Sequence, residues 1–272
     1  MKLYAAGECG GLTERIACEH GLRHRLISFA YKNGSPMKWW VTERSPTDFP
    51  PVDSFVFLDS GAFSAHTQGI AIDIQSYCDF IKRYEDAVTV YAALDVIGNV
   101  PETNKNVEIM ESQGLYPLPT FHRGSRWSEL QRLCERYDYF ALGGVASENA
   151  GRKILQNWLD GCFSIIGKHW PKRIHGFGIQ SQWALERYPF FSTDSTNSII
   201  GGGLGRVSQF VDGKLTTVHW TQYSRTHIDA SVIDTETEGS AYMQRIFKNC
   251  EALVALEKHL TDLWTHKGVV WS

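Results

Sequence analysis

The chain has no C-x-x-C pair, no long apolar run and no excess of charge of one sign. Its six cysteines, Cys9, Cys18, Cys78, Cys134, Cys162 and Cys250, are dispersed and none clusters beside histidine. Neither a zinc ribbon nor a disulfide framework is therefore legible, and the thiols read as reduced and mostly buried. No apolar stretch approaches the ~18 residues that a membrane span requires. Residues 1–11 (MKLYAAGECGG) lack the basic start and long apolar core of a signal peptide, so the expected compartment is the cytoplasm and no membrane partner is expected. With 27 Lys+Arg against 30 Asp+Glu, the net charge of -3 excludes a general polyanion binder but leaves room for a local basic groove. H-x-x-x-H occurs only as His20/His24, without the carboxylate of an H-E-x-x-H metal helix, so no metal ligand set and no cofactor is implied.

What is present is a globular composition: 272 residues, 43% hydrophobic and 12% aromatic, enough to bury a large core. One domain over 1–272 is expected, because α/β barrels routinely reach ~250 residues as a single unit. Eight short β-rich runs recur: KLYAA (2–6), RLISFAY (25–31), SFVFLDS (54–60), VTVYAALDV (88–96), YPLPTF (116–121), YFALGG (139–144), RIHGFG (173–178) and FFSTDS (190–195). Helical spacing fills several gaps between them, clearest over 73–86, 101–113, 126–136 and 151–167, the first with Ile74, Tyr77, Cys78, Ile81 and Tyr84 on one stripe. Strands alternating with helices predict an α/β fold, a (β/α)8 TIM barrel. The barrel is expected to be irregular: the crossover 32–53 carries Pro36, Pro46, Pro50 and Pro51 without a convincing helix, and 179–189 is short. Residues 207–272 read as a C-terminal extension and closing helix, after a Gly-rich turn GGGLG (201–205), with a surface strand TTVHW (216–220) and helical periodicity over 239–265.

In such a barrel, side chains at the C-terminal strand ends meet on one face. The residues ending these runs are chemical ones: Asp59 and Ser60, Asp95, His122 and Arg123, Gly143 and Gly144, Gly176 and Gly178, and Asp194. Any one aspartate also reads as a helix N-cap. Several carboxylates converging on one pocket repel one another unless a ligand, a metal or shifted pKa values justify them, which suggests either a Mg²⁺ enzyme or carboxylate chemistry at an anomeric carbon.

The stretch LDSGAFS (58–64) resembles the D-S-G-G-[FY]-Q motif of the tRNA-guanine transglycosylase superfamily, and FALGGVASE (140–148) is similar to its G-G-L-A-x-G-E segment. ALDV (93–96), HGFG (175–178) and STDS (192–195) follow in the family's order, so the likeness spans roughly 54–206. The resemblance implies that Asp194 is the nucleophile that forms a covalent sugar ester and that Asp59 is the general acid/base. It also implies that Asp95 reads the ring N–H and amine of a guanine-like base, a pairing that carboxylate geometry suits. Ser60, Phe63, Gly143, Gly144, His122, Arg123, His175 and Gly176 would complete the substrate contacts, with Phe63 stacking on the base.

The chain departs from the family at several points. The C-x-C-x-x-C…H zinc site is missing, Ala62 replaces the second motif glycine, Ser64 its glutamine, His175 an apolar stacking residue, and His122 or Arg123 a base-contacting glutamine. A compact, zinc-free relative is most similar to the branch that inserts 7-deazaguanine derivatives into DNA, which includes phage-encoded members. The implied activity is replacement of guanine in DNA by a 7-deazaguanine, a pentosyltransferase reaction with no cofactor. Alternatives are the same exchange on tRNA, a nucleoside or glycoside hydrolase using Asp59 and Asp194, and a non-catalytic nucleic-acid binder. Arg123, Arg126, Arg206, Lys214 and Arg225 are candidates for a phosphate groove, or equally solvated surface charge.

Overall fold

The structure is a computed structural model that describes residues 1–7, 17–18, 20–29, 55–145, 151–219 and 240–271. Eight parallel strands form one curled sheet: β1 (Lys2–Ala6), β2 (His24–Ser28), β3 (Phe55–Asp59), β4 (Val90–Tyr91), β5 (Thr120–His122), β6 (Tyr139–Gly143), β7 (Arg173–Gly176) and β8 (Ser192–Ser195). Their order, β4-β3-β2-β1-β8-β7-β6-β5, follows the chain around, so β1 pairs with both β2 and β8. Past the two edge strands, one isolated parallel bridge joins Ala92 to Leu118. There Leu118 N–H donates to Tyr91 O at 2.8 Å and Ala93 N–H to Leu118 O at 2.8 Å.

Helices alternate with these strands: α1 (Ala62–Gln68), α2 (Ile74–Arg83), α3 (Val100–Ser112), α4 (Trp127–Arg136), α5 (Arg152–Ile166), α6 (Gln182–Arg187), α7 (Ile200–Gly203) and α8 (Ser240–His266). The local causes are visible in the sequence. Asp73 caps α2 by accepting from Ser76 N–H at 2.7 Å, and the predicted stripe buries Tyr77, Cys78 and Ile81. Asn99 caps α3 in the same way, accepting from Glu102 N–H at 3.2 Å, with proline in the first turn. α8 is tied to the start of the chain, since Glu257 accepts from Leu3 N–H at 2.6 Å and Thr261 Oγ1 from the Met1 ammonium at 3.2 Å.

Period-two alternation along the strands separates two kinds of core. Outward residues such as Leu3, Leu58, Phe140 and Ile174 pack beneath the helices. Inward residues Tyr4, Ala6, Leu26, Phe57, Ala92, Leu118 and Ala141 form one cluster drawn from both halves of the sheet. The five described cysteines are buried, and Cys9 lies outside the described residues. No helix among the described residues is long and apolar enough to cross a membrane.

Several boundaries differ from expectation. Regular pairing in β4 covers only Val90–Tyr91 and in β5 only Thr120–His122, and β8 starts at Ser192 rather than residue 190. GGGLG is not a simple turn. Its first three glycines belong to α7, where Gly201 and Gly202 are buried, and a Cβ on Gly202 would stand 2.7 Å from Ile246 Cγ1 of α8. The predicted surface strand is half of an antiparallel hairpin, β9 (Arg206–Val211) with β10 (Lys214–His219). His20 and His24 do not share a helix, because His24 is in β2 and each binds its own glutamate of α8, Glu251 and Glu257. The proline-rich crossover 32–53 and Trp220 lie outside the described residues.

Candidate active site

At Asp59 the chain leaves β3 through Ser60 and Gly61, and Gly61 takes φ 76°, a conformation that favours glycine. That turn aims Gly61 N–H at Asp59 Oδ2, 3.1 Å away, and buries Ser60. The sequence Asp-Ser-Gly thus builds a carboxylate held by its own turn. Phe63, on α1, is 47% exposed and free to meet a ligand face.

The β8 end presents Asp194 in a comparable way. Gly178 N–H, in the loop after β7 at φ 66°, donates to Asp194 Oδ1 at 2.8 Å. His175 is fully buried below it, with Nε2 3.4 Å from Asp194 Oδ1 and Nδ1 2.8 Å from Ser192 Oγ. Ser192 Oγ in turn lies 2.8 Å from Tyr139 Oη, so a polar column descends from Asp194 through the inner core, flanked by Tyr4, Phe57 and Phe177. Burial lowers the His175 pKa more than the contact with Asp194 raises it.

Asp95, following β4, faces His122 at the end of β5, with Oδ2 2.9 Å from Nε2. Burial works against a charged His122, yet the hydrogen bond and charge of Asp95 together outweigh it and hold the imidazole pKa above its ordinary value. Asp95 Oδ1 is buried without a hydrogen-bond partner. Gly143, opposite His122 in register, leaves room for two side chains of β5, since a Cβ there would come 2.9 Å from Thr120 Cγ2 and 3.3 Å from His122 Nδ1. Gly144 turns at φ 80° against the backbone of Arg123.

The carboxylates feel one another. Asp59 is pushed up to about 7 by burial first, then by the charge of Asp194, with Asp95 adding to the rise and the N–H groups of Gly61 and Ser60 opposing it. An acid poised there exchanges protons at neutral pH, while Asp194, its Oδ1 held by Gly178, remains a candidate nucleophile.

The other predicted residues separate into groups. Gly176 is buried, and a Cβ there would meet Phe190 Cε1 at 2.9 Å, which assigns it to packing. Arg123 is half-buried beside His122, whereas Arg126, the N-cap of α4, and Arg206, the first residue of β9, are exposed. Lys214 sits at the far end of the hairpin from Arg206, about 17 Å away at ~3.4 Å per residue. The two therefore do not share one groove. Arg225 lies outside the described residues. Ser192 and Tyr139 support the site without being among the sequence-predicted residues, and Gly178, read only as a strand-end glycine, supplies the N–H that holds Asp194. The signal for Ser192 was its i, i+2 relation to Asp194 on the inward face. Among the described residues no group of three or more His, Cys, Asp or Glu side chains is placed to hold a metal ion.

Neither protein-family models nor curated proteins match this chain.

Proposed function

We propose that the chain is a guanine transglycosylase on a (β/α)8 barrel that exchanges guanine in DNA for a 7-deazaguanine derivative. The observation carrying this reading is the coupling of two carboxyls: Asp194 lies close enough to Asp59 for its charge to help raise that acid to about 7. Base exchange needs such a pair, one group to hold the sugar and one to move a proton between departing and arriving bases.

In the first half-reaction an Asp194 oxygen attacks C1′ as the C1′–N9 bond breaks, and protonated Asp59 supplies a proton to the departing guanine. In the second, N9 of the incoming base attacks C1′, its proton passes to the Asp59 carboxylate, and the ester to Asp194 breaks. Two displacements return the original configuration. Asp95 supports base recognition because its Oδ1 has no partner and accepts an N–H from a guanine edge, while His122 holds the other oxygen. Phe63 supplies an exposed ring for stacking. DNA as the polymer rests on the sequence resemblance.

The test incubates the purified protein with labelled guanine or a 7-deazaguanine and, in parallel, DNA and tRNA, followed by nucleoside mass spectrometry. Label should enter DNA. Label entering tRNA alone would transfer the reading to tRNA, release of guanine without incorporation would identify a hydrolase, and binding without either would leave a non-catalytic protein.

A further inference from the structure

A cavity of about 620 Å³ opens at the N-terminal ends of the strands, opposite the aspartates. It is walled by Tyr91, Tyr116, Tyr139 and Phe191, and Lys2 and Arg173 reach it from the inward faces of β1 and β7. Both cations lean on the same ring: Lys2 Nζ stands 5.4 Å and the Arg173 guanidinium carbon 5.7 Å from the Phe191 centroid. Lys2 also lies 4.1 Å from the Phe55 ring and Arg173 5.3 Å from that of Tyr139.

The acids lining this cavity are already engaged. Glu111 pairs with Arg136 and accepts from Tyr137 Oη, and Asp138 pairs with Lys172 at 2.9 Å. Glu257, behind Lys2, is taken by Leu3 N–H and His24. Among the described residues neither Lys2 nor Arg173 has an ion pair, and Arg173 Nε is buried with no hydrogen-bond partner. Two cations brought to one ring repel each other, and the carboxylates whose charge reaches them, Glu257 and Asp138, are bound to other partners. Burial and the nearby Arg173 charge both lower the Lys2 pKa, only partly offset by Glu257. Cation–π contact softens this cost without supplying the missing negative charge.

We propose that this cavity is a binding site for a phosphate ester of nucleotide size, its phosphate between Lys2 and Arg173 and its flat ring against the tyrosines. The guanidinium offers a fork to two phosphate oxygens and the ammonium a point charge, the division of labour that suits this group. The volume lies within the range of small-molecule sites. Because Lys2 and Arg173 lie at the opposite strand ends from Asp59, Asp95 and Asp194, the site is separate from the exchange chemistry.

The experiment titrates the full-length protein with adenosine 5′-monophosphate, inorganic phosphate and adenosine by calorimetry, at low and high salt. The nucleotide should bind, phosphate more weakly and adenosine not measurably, with affinity falling as salt rises. Arg173→Met and Lys2→Met should each weaken nucleotide binding about tenfold or more. As a check independent of variant folding, nucleotide should protect Lys2 of the native protein from amine-reactive labelling, read at the peptide level. No binding, binding equal in both folded variants, or unchanged labelling of Lys2 with bound nucleotide would overturn the proposal.

Discussion

Asp59 is a carboxyl whose neighbourhood decides its proton. An unfolded aspartate ionises near 3.8, whereas folded Asp59 is pushed up to about 7, so between those values the folded chain holds a proton that the unfolded chain has released. Stability from this group is therefore present at low pH and falls as pH rises through that window. Asp59→Asn should abolish that fall, so that in urea unfolding the variant gains on the parent by up to about 4 kcal/mol between about pH 4 and pH 8, at ~1.36 kcal/mol per unit. Parallel stability curves would remove the shift. Asp59→Asn should also slow exchange about 10²–10⁴-fold, the usual scale of lost acid/base catalysis. Asp95→Ala should weaken guanine binding by roughly 1.5–3 kcal/mol, the range for hydrogen bonds to charged groups. Unchanged affinity in calorimetry would make Asp95 only the anchor of His122.

At the scale of elements, local pattern was informative where the partner was local. The stripe of α2 and the eight strand runs were legible because burial follows a fixed period in each. The hairpin was half missed although Asp212-Gly213 marks its turn, with both residues at positive φ, 50° and 75°. Its strands carry polar residues in alternation, and the cover over β9 comes from α8, far along the chain. GGGLG is only partly a turn for the same reason: Gly205 turns at φ 77°, whereas Gly202 serves the approach of α8. Gly202→Ala should cost about 1–3 kcal/mol in urea unfolding, because the added methyl meets Ile246 backbone atoms at 3.1 and 3.2 Å as well as its side chain. An unaffected midpoint would show that α7 and α8 have room between them.

Across the whole molecule, the sheet delivers three aspartates from three widely separated segments to one end. Their presence at strand ends was readable from the runs alone. The pairs Asp95 with His122 and His175 with Ser192 were not, because they depend on which strands are neighbours and in which register. The polar column from Asp194 to Tyr139 passes through an otherwise apolar interior, and Gly178 N–H holds the Asp194 carboxylate at its top. The most direct measurement is to incubate the protein with a guanine-containing oligonucleotide and a 7-deazaguanine, denature, and map any covalent adduct by peptide mass spectrometry. The account predicts a sugar-linked mass on Asp194 that is lost, together with exchange, in a folded Asp194→Asn variant. An adduct on Asp59, or full exchange by Asp194→Asn, would contradict it.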